Sequence, residues 1–330
     1  MASRSTVMTL TFLPDVGMRT SELDYELPRE LIAQRPPARR DESRLLVYDR
    51  ENGAVEHARF SHLHGLLASE TLVVVNDTRV LPARLFVEKP TGGRAEILLL
   101  ERVEGDIWEA LARPSRRLRS GMALGPVELL EPLGEGRWRI RLVGEPDGQL
   151  PLPPYITEPL TDPERYQTVY ADEAGSAAAP TAGLHFTPEL LGRLDIERVT
   201  LHVGLDTFRP VTAETLDAHR LHSERYELEA GAWERIEAAA HVTAIGTTTV
   251  RVLESVARGA ALRGRTDLFV TPGFEFRRVD SLVTNFHLPR SSLLALVMAF
   301  AGIEETRRLY ELAIAERYRF YSFGDAMLIR

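Results

Sequence analysis

The feature that most constrains the fold is a change of hydrophobic rhythm partway along the chain. From about Pro82 to Gly148, short apolar runs recur at 95–100, 107–111, 127–130 and 138–143, with Gly105, Gly121, Gly134 and Gly136 between them. Short strands separated by turn residues read as a small antiparallel barrel or sandwich. Before this stretch, Thr71-Leu-Val-Val-Val75 is a continuous run of the kind found in strands buried on both faces. After it, strand-like runs at 198–203, 242–245, 267–270 and 281–284 alternate with helical ones at 232–240, 248–258, 291–301 and 303–317. That alternation predicts an α/β domain with a largely parallel sheet. The chain is therefore read as an α/β domain, residues 21–81 plus 151–330, with an inserted small antiparallel β-barrel domain at 82–150. Pro151-Leu-Pro-Pro-Tyr155 is a stiff linker out of the insert, and 27–34 is a short helix stopped by Pro36-Pro37. Residues 1–20 read as a disordered extension.

Composition removes several kinds of chemistry. The 330 residues contain no cysteine, so disulfides, thiolate nucleophiles and cysteine-bound clusters are excluded, and with them radical chemistry that needs such a cluster. The absence of disulfides points to the cytoplasm. Forty basic against 48 acidic residues give a net charge of −8, so a polyanion must be met by local basic clusters. The longest apolar run, 293–301, falls far short of the ~20 residues of a membrane-crossing helix.

Ligands of open α/β sheets gather at the carboxyl ends of strands, and several strands here end in polar clusters. Asn76-Asp-Thr-Arg79 is a binding loop or an Asx turn. Gly246-Thr-Thr-Thr-Val-Arg251 starts a helix whose free N–H groups suit an anion, with Arg251 one turn in, or it is an ordinary helix cap. In Ala179-Pro-Thr-Ala-Gly-Leu-His-Phe-Thr187, small residues let backbone approach a ligand beside His185, unless that histidine is structural. His202 ends a strand, His219 and His222 stand three apart ahead of Glu224, and Asn285 and His287 lie where a strand gives way to a helix. The aromatic tail 318–325 reads foremost as core packing. Histidines in such numbers fit general acid–base work or a histidine–carboxylate metal site, although no HExxH is present. Arg113, Arg116, Arg117 and Arg119 stand with no acid between Glu109 and Glu128, and Arg39 and Arg40 belong to a second cluster; both suit phosphates.

Taken in order, these segments resemble the S-adenosylmethionine:tRNA ribosyltransferase-isomerase family of queuosine biosynthesis. The resemblance is carried by Val75-Asn-Asp-Thr-Arg-Val-Leu-Pro-Ala-Arg84, Ala179-Pro-Thr-Ala-Gly-Leu-His-Phe-Thr187, Val199-Thr-Leu-His-Val-Gly204, Gly246-Thr-Thr-Thr-Val-Arg251, Thr284-Asn-Phe-His-Leu-Pro289 and the tail from Arg317 to Ile329. It spans about residues 23–329; Asp206 stands where the family usually has glycine.

The resemblance implies transfer and isomerisation of the ribosyl group of S-adenosylmethionine onto a 7-aminomethyl-7-deazaguanine wobble base of tRNA. The product is epoxyqueuosine, with adenine and methionine released. S-adenosylmethionine is a co-substrate, no cofactor or metal is held permanently, the protein is a monomer, and no membrane is involved. On this reading His185 and His202 move protons, with His222 and Glu224 as a second pair. Asn76, Thr78, Arg79, Thr181, Gly183, Gly246, Thr247, Thr248, Asn285 and His287 bind substrate, and the helix start with Arg251 takes the methionine carboxylate. Arg39, Arg40, Arg113, Arg116, Arg117 and Arg119 hold tRNA. A metal-dependent hydrolase and a non-catalytic tRNA-binding protein are the competing readings.

Overall fold

A computed structural model describes residues 17–89, 92–116, 118–204 and 210–330. Arg117, Asp206 and residues 1–16 of the expected extension lie outside the described residues. In chain order the strands are β1 (Arg44–Tyr48), β2 (Val55–Arg59), β3 (Thr71–Asn76), β4 (Thr78–Val80), β5 (Arg84–Glu88), β6 (Arg94–Glu104), β7 (Ile107–Arg113), β8 (Ala123–Leu124), β9 (Val127–Gly134) and β10 (Arg137–Leu142). They continue as β11 (Glu173–Ser176), β12 (Asp195–Leu201), β13 (Glu224–Glu227), β14 (His241–Ile245), β15 (Arg263–Thr266), β16 (Ser281–Asn285) and β17 (Ala326–Ile329). The helices are α1 (Leu63–Leu66), α2 (Pro188–Leu191), α3 (Ala230–Ala238), α4 (Thr247–Val256), α5 (Ser292–Ala301) and α6 (Ile303–Ala315).

Nine strands form one sheet in the order β15-β13-β12-β3-β14-β16-β17-β1-β2. Its centre, β12-β3-β14-β16, is parallel throughout. The sequence predicts a largely parallel sheet; the structure shows a mixed one. Strand β17 runs parallel to β1 but antiparallel to β16, and β2, β13 and β15 add antiparallel edges. Hydrophobic period reports burial and says nothing of a neighbour's direction, which is why this was invisible.

Strand β3 shows why the sheet has two covered faces. Its six residues are all buried, and alternate side chains point opposite ways. Leu72 and Val74 join a core with Ile236 of α3, Val252 of α4, Leu296 of α5 and Leu309 of α6. Val73 and Val75 pack on the other side with Phe60, Phe186 and Leu190. The 318–325 tail is core, as its composition suggests: Tyr318 and Phe320 are fully buried.

The second sheet, β5-β6-β7-β10-β9-β8, is antiparallel and barrel-like. On β10, Trp138, Ile140 and Leu142 are buried while Arg137, Arg139 and Arg141 are not, the alternation of a half-buried strand. Its core is its own, built from Ile97, Leu99, Trp108, Leu129 and Ile140 among others.

Three further expectations need correction. No strand forms over 267–270: β15 lies just before it, and Leu268 is tied down instead by its N–H to Thr266 Oγ1 and by Arg251 Nε–H to its carbonyl. The helix over 27–34 shrinks to one 3₁₀ turn, Arg29–Leu31, between prolines. The extension does not run to residue 20: Arg19 bridges Thr215, and buried Thr20 donates its hydroxyl to the Ala213 carbonyl at 2.6 Å. No helix among the described residues is long and apolar enough to cross a membrane.

Candidate active site

The four central parallel strands end along one edge, and nearly every polar cluster singled out above sits there. His202 follows β12, Asn76 closes β3 with Asp77 and Thr78 next after it, Gly246 to Thr248 follow β14, and Asn285 closes β16. Gly246 turns β14 into α4 with φ +88°, a left-handed conformation that favours glycine. It is the N-cap of α4 and offers no side-chain cap. Thr249 donates back to Ile245 O, whereas the Thr248 hydroxyl accepts from Asn76.

Asn76 is a fully buried hub. Its amide N–H groups donate to Leu201 O at 3.0 Å and Thr248 Oγ1 at 3.1 Å, and its oxygen accepts from Leu201 N at 3.0 Å and Thr78 N at 3.2 Å. With both donors engaged, it positions β12, α4 and the Thr78 turn rather than offering an N–H to a ligand. Thr78 Oγ1 is 2.9 Å from His202 Nδ1 and 2.7 Å from Ser176 Oγ. Burial, aided by Arg225, pushes His202 down to about 4, so its ring is neutral at pH 7.

His202, His222, Glu224, Thr248 and Arg251 line a cavity of about 750 Å³, the size of a nucleoside-class ligand site. Its opposite wall belongs to the barrel-like sheet, through Leu100, Glu101, Trp108 and Leu111. Arg251 is buried and pairs with Glu224, while Nε and Nη2 donate to Leu268 O and Thr266 O at 3.0 Å each. The second Glu224 oxygen accepts from Gly204 N at 2.8 Å. The sequence groups Glu224 with His222 and leaves Arg251 for a ligand carboxylate; the structure instead joins Glu224 to Arg251. Across the mouth, Arg265 reaches from β15 to β6, donating Nη1 and Nη2 to the two Glu101 oxygens at 2.5 and 3.1 Å.

The other half of the edge forms a separate, buried cluster. His185 accepts from Asn285 Nδ2 through Nε2 at 3.1 Å, so Nδ1 carries the proton and donates to Ser43 Oγ at 2.8 Å. The Asn285 orientation is forced, because the same Nδ2 donates to Tyr321 O at 3.2 Å while its oxygen accepts from Thr181. The ring lies against Phe60 at 4.9 Å, and desolvation takes His185 down to about 3. His287, equally low for the same cause, is 2.7 Å from Thr284 Oγ1. His185, Thr247, Asn285 and His287 thus lie outside the cavity lining, and the structure divides the predicted residues into two groups. Gly183 belongs to the buried group: a Cβ there would meet Tyr170 Oη at 2.0 Å.

Arg79 pairs with Glu164 at 2.7 Å. Arg40 donates to the carbonyls of Leu184 at 3.1 Å and Glu164 at 2.7 Å, bracing the His185 turn. Arg39 is exposed and 3.3 Å from Asp41, and Arg113, Arg116 and Arg119 are exposed at the end of β7 and beyond. Sequence reasoning missed Gly175 and Ser176, which carry no motif, and Glu101, Trp108 and Arg265, whose relevance arises only where the two sheets meet. Among the described residues no group of three His, Asp or Glu side chains is placed to hold a metal ion.

Comparison with known proteins fits this geometry. The family profile described as queuosine biosynthesis protein matches residues 20–329. A Rubrobacter xylanophilus protein named S-adenosylmethionine:tRNA ribosyltransferase-isomerase is 54% identical, the match covering 94% of this chain and 98% of that one. One of the same name from Carboxydothermus hydrogenoformans is 51% identical, over 94% of this chain and 100% of its own. The crystal structure of S-adenosylmethionine tRNA ribosyltransferase from Thermotoga maritima is similar at TM-score 0.56 and 37% identity, covering 94% of this chain and 100% of that one. With the profile running from the docked N-terminal turn to the last strand, through both sheets and the cavity between them, this chain belongs to the queuosine biosynthesis protein family.

Proposed function

We propose that this chain transfers the ribosyl group of S-adenosylmethionine to the 7-aminomethyl-7-deazaguanine wobble base of a tRNA and isomerises it, giving epoxyqueuosine-tRNA, adenine and methionine. The observation that carries the reading is the cavity at the carboxyl edge of the parallel strands, roofed by the second sheet. It is large enough for a sulfonium nucleoside and open enough for an incoming base. Phe269, only partly buried, lines it and suits a purine face or a sulfonium charge. His202 is the neutral imidazole at its wall, Thr248 opens α4 into it, and the Arg251–Glu224 pair fixes its floor. Arg113, Arg116 and Arg119, exposed on an otherwise acidic protein, are the proposed phosphate contacts for the anticodon stem-loop. S-adenosylmethionine is consumed as a substrate, and no resident cofactor is invoked. The protein acts as a monomer and works where tRNA is found, in the cytoplasm.

The test is incubation with ribose-labelled S-adenosylmethionine and a tRNA carrying the modified wobble base. Label entering the tRNA with release of free adenine is the expected result. Binding of tRNA with no consumption of S-adenosylmethionine would return the protein to the class of simple binders.

A further inference from the structure

We infer that a hydroxyl relay, Ser176 to Thr78, holds His202 in the Nε2–H tautomer, making it a hydrogen-bond donor to the bound nucleoside and not a proton acceptor. The inference rests on the reading of the cavity as the nucleoside site, although the tautomer itself can be measured without it. The relay starts at a group that can only donate: Val203 N–H to Ser176 Oγ, 2.8 Å. Among the described residues the Ser176 hydroxyl has one remaining hydrogen-bond partner, Thr78 Oγ1 at 2.7 Å, so its proton goes there. The Thr78 proton then has two acceptors, His202 Nδ1 at 2.9 Å and the Glu173 carbonyl at 3.3 Å. The opposite tautomer would have Nδ1–H donate to Thr78 Oγ1 and leave the Thr78 proton only the longer 3.3 Å contact to the Glu173 carbonyl; an O–H donor prefers roughly 2.5–3.0 Å, which favours Nδ1 as its acceptor. A neutral imidazole that accepts at Nδ1 carries its proton on Nε2. That nitrogen has no partner among the described residues, and the residue lines the cavity.

The ring is also seated. A Cβ on Gly175 would come within 2.5 Å of His202 Cε1 and 2.6 Å of Nδ1, so the glycine backbone lies flat against the imidazole. Gly175 and Ser176 belong to β11, which pairs with β4, the strand that begins at Thr78. One two-stranded element therefore supplies both the seat and the relay. Such an arrangement directs a fixed N–H into the site before substrate arrives, the preorganisation that makes a neutral donor effective against developing negative charge. Thr78, Ser176 and Gly175 are positioning residues; His202 is the group that touches substrate.

The tautomer is read from long-range proton–nitrogen correlation spectra of protein labelled with ¹⁵N-histidine, with the His202 signals assigned by their loss in His202→Gln. The expected result at pH 7 is protonated Nε2 and bare Nδ1 in the wild type, and a mixture of tautomers in Thr78→Val. Protonated Nδ1 in the wild type overturns the inference, even if the enzyme turns over as proposed. A kinetic arm separates donor from base. His202→Gln keeps an N–H near the Nε2 position, so it should be at least about tenfold more active than His202→Ala, part of the roughly 10²–10³-fold expected for a lost preorganised donor. Equal loss in the two variants points to proton abstraction and overturns the donor role.

Discussion

Replacing Asn76 by Asp changes one atom and tests the hub directly. The Asp keeps an oxygen to accept from Leu201 N and Thr78 N, but its second oxygen now faces the Leu201 carbonyl, formerly 3.0 Å from an N–H donor. The Thr248 hydroxyl, at 3.1 Å, can turn and donate; the carbonyl cannot. With Asn76 fully buried, water does not relieve the contact. The protonated acid restores a donor to Leu201 O, so the folded variant holds a proton that the unfolded chain releases near pH 3.9. Holding it costs about 1.4 kcal/mol for each of the roughly three pH units up to 7, about 4 kcal/mol in all. The sign follows from the raised folded pKa. The variant matches the wild type most closely below about pH 4, and its deficit grows as pH rises until the folded-state pKa is passed. Urea unfolding of both proteins at pH 5, 6 and 7 should give a stability difference that widens by about 1.4 kcal/mol per unit. A difference independent of pH, or largest at pH 5, refutes the hydrogen-bond assignment of Asn76.

His185→Ala should lower stability by about 2–4 kcal/mol, since it strips Asn285 and Ser43 of partners and opens space beside Phe60. Thermal unfolding checks this, and an unchanged midpoint would refute the structural assignment. Glu224→Gln leaves Arg251 charged, buried and short of its counter-ion, which costs about 3 kcal/mol, the low end for a broken buried pair because the cavity admits some water; denaturant unfolding reads it. His185 and His287, held down to about 3, and His202, held down to about 4, are neutral when folded but charge on unfolding. Stability should therefore be full above about pH 6.5 and fall as pH drops through that value toward the folded pKa values, with proton uptake on unfolding near pH 5 seen by calorimetry in two buffers.

The sequence shows its elements where burial alone decides them. Thr71 to Val75 reads as a doubly buried strand because both faces of β3 are covered, and the alternation at 137–142 reads as a half-buried strand because Trp138, Ile140 and Leu142 turn inward. Strand direction was not legible, since β17 would carry the same apolar pattern whether it ran with β1 or against it. Nor was the fate of residues 267–270, where a buried arginine one helix away uses the Leu268 carbonyl that a strand would need.

The site residues divide by the same logic. A polar cluster at a strand's carboxyl end marks the edge, and the edge is where His202, Asn76, Thr248 and Asn285 all lie. What separates those that line the cavity from those that do not is the second sheet. It stands over β12 and α4, bringing Glu101, Trp108 and Leu111 opposite His202 and Thr248, and so leaves a cavity there. Over β16 the covering element is the Thr181–His185 turn, braced by Arg40, and the polar groups close on one another. His185, in a loop of small residues, and His202, at a strand end, read alike in sequence as candidate proton-transfer groups. Their partners come from segments more than 70 residues distant as well as nearby, Ser43 and Asn285 for one and Thr78 and Gly175 for the other. The pairing of β4 with β11 brings Thr78 and Gly175 to His202 and engages one of its nitrogens, whereas Ser43 and Asn285 engage both nitrogens of His185.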